Sequence, residues 1–282
     1  MNNPNNAAKN KAPPLASLPS GTLRVLQLSD PHLFADPEGR LLGLKTLETL
    51  DQVLEQAQKT LPPMDLALVT GDLVHDASQE GYSLLQERLA TLGMPTYCIP
   101  GNHDDPALLS SCLNGNPVST TNHLQQNNWL VVLLDSKMPG NEKGLLNSGE
   151  LDKLESILGG NPDKHTLVCL HHNPVPVGSG WLDTMQLENA DDFFSIIDRH
   201  QHVRGVIWGH VHQAFESERN GVRLIGTPST CFQFAPQTTE FALDEKPPGC
   251  RWLALLPNGE IETGLLYLNS MPESLERTTK GY

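Results

Sequence analysis

Five short clusters carry side chains suited to holding metal ions and acting on phosphate. They are Asp30-Pro31-His32, Gly71-Asp72, Gly101-Asn102-His103-Asp104, His171-His172-Asn173-Pro174 and Gly209-His210-Val211-His212. Singly, each has an ordinary structural explanation. Asp30 can stabilise a turn, Asp72 can cap a helix, and Asn102 beside Gly101 suits a left-handed turn. Jointly, unrelated turn roles do not supply carboxylates, imidazoles and a carboxamide after one apolar run upon another. Oxygen and nitrogen ligands without thiolate suit Mn²⁺, iron, Zn²⁺ or similar ions in a reactive site. A carboxylate can bridge two ions, and ions about 3.5–4 Å apart can grip the attacking and leaving oxygens of a displacement at phosphorus. Water held between such ions is acidified toward hydroxide at neutral pH.

The elements that must position these clusters are legible as apolar runs. Residues 23–28, 66–69, 96–99, 130–134, 166–170 and 205–208 read as strands buried on both faces. The clusters follow five of these strands, where open α/β sheets place their ligands. Helical patterns cover about 45–60, with Leu47, Leu50, Val53, Leu54 and Ala57 on one stripe, and about 78–92. Further helices are expected over 149–158, with Ser148 as N-cap, and over 187–200. The last third changes texture. Strands are expected around 213–218, 222–226, 240–243, 251–256 and 260–267, with hairpin turns at Asn220-Gly221 and Asn258-Gly259. The fold class is therefore α/β: two sheets packed together with helices outside, in one domain over 21–270. Residues 1–20, rich in Asn, Pro, Ala and Ser, read as a flexible tail, and 271–282 as a C-terminal tail.

Composition narrows the partners. The chain has 282 residues, 38% hydrophobic and 18% charged, which suits a folded enzyme rather than a disordered chain. Nineteen basic against 33 acidic residues give a net charge of −14, with no basic patch to offset it. That balance repels nucleic-acid backbones and anionic membranes, so neither is an expected partner. Two divalent ions would reverse the repulsion locally for a small anionic phosphate. The five cysteines form no C-x-x-C pair and read as small buried hydrophobes in a reducing compartment. The N-terminus lacks the apolar core of a signal peptide, and no apolar stretch approaches the ~20 residues needed to cross a bilayer. A cytoplasmic location is the expectation.

In order, D-x-H, G-D, G-N-H-D, H-x-x-P and G-H-x-H resemble the motif blocks of the calcineurin-like metallophosphoesterase superfamily, and they span 30–212. The resemblance implies a four-layer αββα sandwich with a dinuclear centre. It implies one ion on Asp30, His32 and His212, another on Asn102, His171 and His210, and Asp72 bridging both. His103 would bind no metal; it would stabilise charge on the phosphate and protonate the leaving oxygen. Asp72, Asn102 and His103 would be the catalytic group, with His32, Asn102, His103, His171 and His212 around the substrate. The stretches 171–176, 179–183 and 227–231 and the Gly281-Tyr282 terminus resemble the bacterial class III cyclic-nucleotide phosphodiesterases, in particular those acting on cyclic AMP.

The implied reaction is hydrolysis of 3′,5′-cyclic AMP to 5′-AMP by attack of metal-bound hydroxide on phosphorus. The implied cofactors are two divalent or transition-metal ions per subunit, iron, manganese or similar, and a homodimer is compatible with the resemblance. Two alternatives stand beside it. One is a relative acting on 2′,3′-cyclic nucleotides or glycerophosphodiesters. The other is a catalytically silent scaffold of the same fold, although retention of every ligand weighs against it. Asn173 stands where relatives often carry His or Pro, which leaves both His171 and His172 as candidates for one ligand.

Other residues carry less. His75 and Asp76 are candidates either to orient ligands or to face solvent. His123, His165, His200 and His202 fall in no motif, and the last two suit a helix C-terminus. Phe232 and Phe234 can stack on a base, although alternating apolar residues are more often core.

Overall fold

The computed structural model describes residues 18–272 and 275–276. Strand β1 (Leu23–Leu28) leads through a small hairpin, β2 (Arg40–Leu41) and β3 (Leu44–Lys45), into α1 (Thr46–Thr60). Helix α1 buries Leu50, Val53, Leu54 and Ala57, a stripe with helical spacing. There follow β4 (Leu66–Thr70), α2 (Gln79–Ala90), β5 (Thr96–Ile99), α3 (Pro106–Cys112) and β6 (Val118–Ser119). Ser78 caps α2 by accepting the Gly81 N–H, and Asp105 caps α3 by accepting those of Ala107 and Leu108. The middle of the chain gives β7 (His123–Gln126), β8 (Trp129–Leu133), α4 (Ser148–Gly160), β9 (His165–Cys169), α5 (Ala190–Ile197) and β10 (Val203–Trp208). Two hairpins close it, β11 (Phe215–Arg219) with β12 (Val222–Gly226) and β13 (Gly249–Leu255) with β14 (Ile261–Tyr267). Asn220 and Gly221 turn the first hairpin with φ of 52° and 81°, the left-handed pair that matches strand twist.

Two six-stranded sheets result, ordered β14-β13-β1-β4-β5-β6 and β11-β12-β10-β9-β8-β7. Strand alternation sorts the apolar side chains into three buried layers. Leu23, Val25, Leu66 and Leu68 of one sheet meet Val131, Leu133, Leu167 and Ile207 of the other between the sheets. Leu26, Leu28, Ala67 and Val69 face outward under α1, α2 and α3. On the far side, Leu130, Val132, Val168 and Trp208 lie under α4 and α5, which contribute Leu154, Leu158, Phe193 and Ile197. This is the expected four-layer αββα sandwich. Within the first sheet β1, β4, β5 and β6 run parallel, and within the second β8, β9, β10 and β12 do. The ends of β1, β4, β5, β9 and β10 thus meet at one edge of the sandwich, drawing on both sheets.

Several details differ from the sequence reading. Asn147, not Ser148, caps α4, its side chain accepting the Glu150 N–H at 3.1 Å. Helix α5 is shorter than 187–200, because Asn189 leaves the helical conformation and ties instead to Leu146. Residues 240–243 form no strand; Leu243 makes a single bridge to Phe234. The seven-residue α3 and the short β6 and β7 offer too little periodicity to be read. The expected tails lie partly outside the described residues, at 1–17, 273–274 and 277–282, the Gly281-Tyr282 terminus included. Leu18 and Leu275 pack against the buried layers. All five cysteines are free, and among the described residues no helix is long and apolar enough to cross a membrane.

Candidate metal centre

The strand ends place their polar residues by unusual backbone geometry. Asp30, His32, Asp72, His210 and His212 all have positive φ, 52°, 47°, 49°, 64° and 44°. Such left-handed conformations cost about 1–3 kcal/mol each in a non-glycine residue and persist only where surroundings impose them. Here backbone bonds across strands do so: Asp30 donates to Gly71, His32 to Asp72 and Leu33 to Leu73, each at 3.0 Å. The glycines are required by close approach. A Cβ on Gly101 would lie 2.2 Å from Oδ1 of Asp72, and one on Gly71 would lie 2.2 Å from Nδ1 of His171.

Asp30, His32, Asp72, Asn102, His171, His210 and His212 come together. Nε2 of His212 lies 3.3 Å from both Oδ1 of Asp30 and Nε2 of His32, which is itself 3.9 Å from Oδ2 of Asp72. Nε2 of His171 lies 3.3 Å from the same Asp72 oxygen and 3.1 Å from Oδ1 of Asn102. Oδ1 of Asn102 is also 3.1 Å from Nδ1 of His210. The opposite ring nitrogens set the tautomers. Nδ1–H of His171 donates to the Thr70 carbonyl at 2.8 Å, and Nδ1–H of His212 to the Phe232 carbonyl at 2.9 Å. In the neutral rings, therefore, Nε2 of each presents a lone pair toward other acceptors. Oδ2 of Asp30 is buried without a hydrogen-bond partner among the described residues. Buried carboxylate, carboxamide and imidazole atoms that converge in this way are what a cation satisfies, so these residues fit a metal site. The sets Asp30-His32-His212 and Asp30-Asp72-His171 each bring ligand atoms within 4.8 Å of one another.

Electrostatics follow from burial and pairing. Burial holds His32 well below the usual imidazole value and takes His210 down to about 3, with neighbouring imidazoles adding to the effect. Burial would raise Asp72, but the His171, His103 and His32 rings hold it well below the carboxylate range. Burial would likewise lower His171, but the Asp72 charge and hydrogen bond lift it to about 9. The two describe one proton held between carboxylate and imidazole.

His171 faces Asp72 and Asn102, whereas His172 has ligand atoms within 4.8 Å of those of His171 and His210, and its Nε2 is buried without a hydrogen-bond partner among the described residues. Nδ1 of His172 shares a hydrogen bond of 2.8 Å with the Ser136 hydroxyl, and its ring packs 4.7 Å from that of His210. His103 donates its backbone N–H to Oδ1 of Asp72 at 2.9 Å while its ring packs edge-on to His32 at 5.1 Å and stacks on His75 at 4.5 Å. His75 lies behind the centre, its Nδ1 3.3 Å from Nδ1 of His32; burial and the His103 ring bring it down to about 4. Asp76 instead binds Ala35 and Ser78 at the surface.

Two residues to which the sequence reading gave no role brace the site. The buried Asp104 carboxylate accepts the N–H groups of Gly101, Leu73 and Val74 and the Tyr82 hydroxyl, joining two strand ends. Lys137 donates to the carbonyls of Asn102, at 2.7 Å, and Asp104. The G-N-H-D cluster contained the first; Lys137 lies in no motif. Above the centre opens a cavity of about 200 Å³, lined on one side by Asp72, Asn102, His103 and His210, with an aromatic wall that includes Trp181, Phe234 and Phe241.

Comparison with known proteins agrees with this geometry. Residues 23–214 match the model of the calcineurin-like phosphoesterase family. The chain is 38% identical over 258 residues to the 3′,5′-cyclic adenosine monophosphate phosphodiesterase CpdA of Pseudomonas aeruginosa, covering 92% of this chain and 94% of that protein. It is 39% identical over 267 residues to CpdA of Vibrio vulnificus, covering 94% and 97%. The fold is shared with a dimetal phosphatase from Danio rerio, with a TM-score of 0.61 at 16% identity over 87% of this chain and 98% of that one. A family model over most of the chain, a shared fold and an acceptor-lined centre at the matching strand ends lead to one assignment: this chain belongs to the calcineurin-like phosphoesterase family, metal-dependent hydrolases that work with paired ions.

Proposed function

We propose that this chain hydrolyses 3′,5′-cyclic AMP to 5′-AMP, with two ions of the iron or manganese type. The observation that carries the reading is an acceptor-lined centre in a chain whose relatives at 38% and 39% identity bear that activity. Asp30, His32 and His212 would hold one ion, and Asn102, His171 and His210 the other, with Asp72 between them. Ions bound there would polarise the phosphodiester and acidify the water that attacks phosphorus.

The chain's own residues do the rest. Hydrogen bonds from His171 to Thr70 and from His212 to Phe232 aim the ring nitrogens inward and hold one tautomer. Asn102 and His103, both on the cavity, would flank the phosphate together with His32, His171 and His212. As a new O–P bond forms and the P–O3′ bond breaks, O3′ needs a proton. His103 would give it; its backbone is tied to Asp72 and the residue lines the cavity, which supports that role.

The test is turnover of a panel containing 3′,5′-cyclic AMP, 2′,3′-cyclic AMP and glycerophosphodiesters, with Mn²⁺ or Fe²⁺ supplied and products separated. Metal-dependent formation of 5′-AMP is expected. Preference for the 2′,3′-cyclic nucleotide, or no turnover in a fully metallated protein, overturns the reading.

A further inference from the structure

The cavity over the centre has a wall that phosphate chemistry does not need. Trp181, Phe234 and Phe241, with Leu182 and Met185, line it together with Asp72 and His103. Trp181 stands edge-on to Phe234, ring centroids 4.8 Å apart at 85°, and to Phe241, 5.3 Å apart at 63°. Phe234 is buried and stacks in turn on the His212 ring, 4.5 Å apart at 22°. The aromatic wall is therefore continuous with the metal centre, one ring away from a ligand.

The wall is also held in place. Ser179 is fully buried, and its hydroxyl oxygen accepts from Nε2 of Gln213 at 3.2 Å and from the Gln237 N–H at 3.0 Å. Nε1–H of Trp181 donates to the Thr238 hydroxyl at 3.3 Å, and Gly180 donates to the Thr238 carbonyl at 2.8 Å. Asp183 accepts the N–H groups of Val177 and Gly178 at 2.7 and 3.1 Å. These bonds join the loop that carries Trp181 to the one that carries Phe241. Both rings nevertheless remain only half-buried. Partly exposed aromatic faces on a pre-ordered wall bind a planar partner with little loss of conformational entropy.

We propose that Trp181 and Phe241 form a base subsite, on which the purine of a 3′,5′-cyclic nucleotide packs while its phosphate lies at the metal centre. This rests on the phosphodiesterase reading above. A glycerophosphodiester has no group to cover these rings, so the subsite selects nucleotides over smaller phosphodiesters. With a net charge of −14, the protein's overall field does not attract an anionic substrate, and base packing supplies binding beyond the centre itself. Packing on the base is the same in ground and transition states, so it acts on KM rather than kcat.

The experiment is a two-by-two comparison in metal-loaded protein: wild type and Trp181→Ala, each on cyclic AMP and on 1-deoxyribose 3′,5′-cyclic phosphate, which lacks the base. Stacking on an aromatic ring is worth about 10- to 100-fold in binding. Trp181→Ala should raise KM for cyclic AMP by about that factor with kcat nearly unchanged, and should leave KM for the abasic compound alone. Trp181→Phe, which keeps an aromatic face, should recover most of the loss. Equal rises on both substrates, which a loosened loop would give, overturn the subsite. So does a wild-type KM indifferent to the base. Absence of cyclic AMP turnover in the wild-type protein overturns the phosphodiesterase reading, and this inference with it.

Discussion

Nε2 of His171 lies 3.3 Å from Oδ2 of Asp72, and both side chains are buried. In the metal-free chain this is an imidazolium–carboxylate pair, with His171 raised to about 9 and Asp72 held well below its usual value. The same nitrogen faces the oxygen of Asn102, so a metal bound there takes the place of a proton.

The pair makes both stability and metal affinity depend on pH. His171 is raised on folding, so its contribution is complete below about pH 6.5 and is lost as pH rises through about 9. Asp72 is depressed, so its contribution is present above about pH 4 and is lost as pH falls through the folded value. The metal-free protein should gain most from the pair between about pH 4 and 6.5. Metal affinity should rise with pH toward 9, and titration calorimetry in buffers of different ionisation enthalpy should detect about one proton released at pH 7. No proton release would contradict a protonated His171.

Asp72→Ala tests the bridging role. A carboxylate that only capped a turn would cost about 1 kcal/mol and leave the chemistry intact. Removal of an oxygen shared between two ligand sets should instead lower metal content at both positions and abolish turnover. Elemental analysis of the folded variant decides: a fully metallated, active Asp72→Ala protein would falsify the assignment.

Gly101→Ala tests the packing that seats Asp72. The new Cβ would stand 2.2 Å from Oδ1 and 2.3 Å from the backbone N of Asp72, and backbone cannot yield as a flexible side chain does. Overpacking of this kind costs about 1–3 kcal/mol. The variant should melt at a lower temperature and hold less metal, and an unchanged melting curve with full metal content would show that the strand ends yield freely.

Strand ends and residue types were legible because each cluster follows an apolar run, and a parallel sheet gathers such ends on one edge. The choice between His171 and His172 was not. Neighbouring residues leaving a strand point to opposite sides, so a shift of one position decides which ring meets Asp72 and Asn102, and β9 both starts and ends one residue before the expected 166–170. Asn147 and Ser148 are both good caps, so local chemistry could not choose between them. Lys137 acts through two carbonyls of a distant loop, and Trp181 meets Phe241 across 60 residues of sequence; neither contact leaves a local pattern.

His103→Ala separates proton transfer from metal binding. His103 follows Asn102, and its backbone N–H is already committed to Asp72, while its ring packs against His32 and His75 beside the cavity. If the ring serves the leaving O3′, its loss should leave both ions bound and substrate affinity little changed. Proton transfer of this kind is worth about 10²–10⁴-fold, and kcat for cyclic AMP should fall by that order. A p-nitrophenyl phosphodiester expels an oxygen that needs little protonation and should lose much less. Equal losses on the two substrates would leave His103 a role in charge stabilisation alone, since a donor to the phosphoryl oxygens serves both reactions alike. Loss of one metal equivalent would instead make the ring a ligand, and elemental analysis of the variant distinguishes that case before any rate is measured.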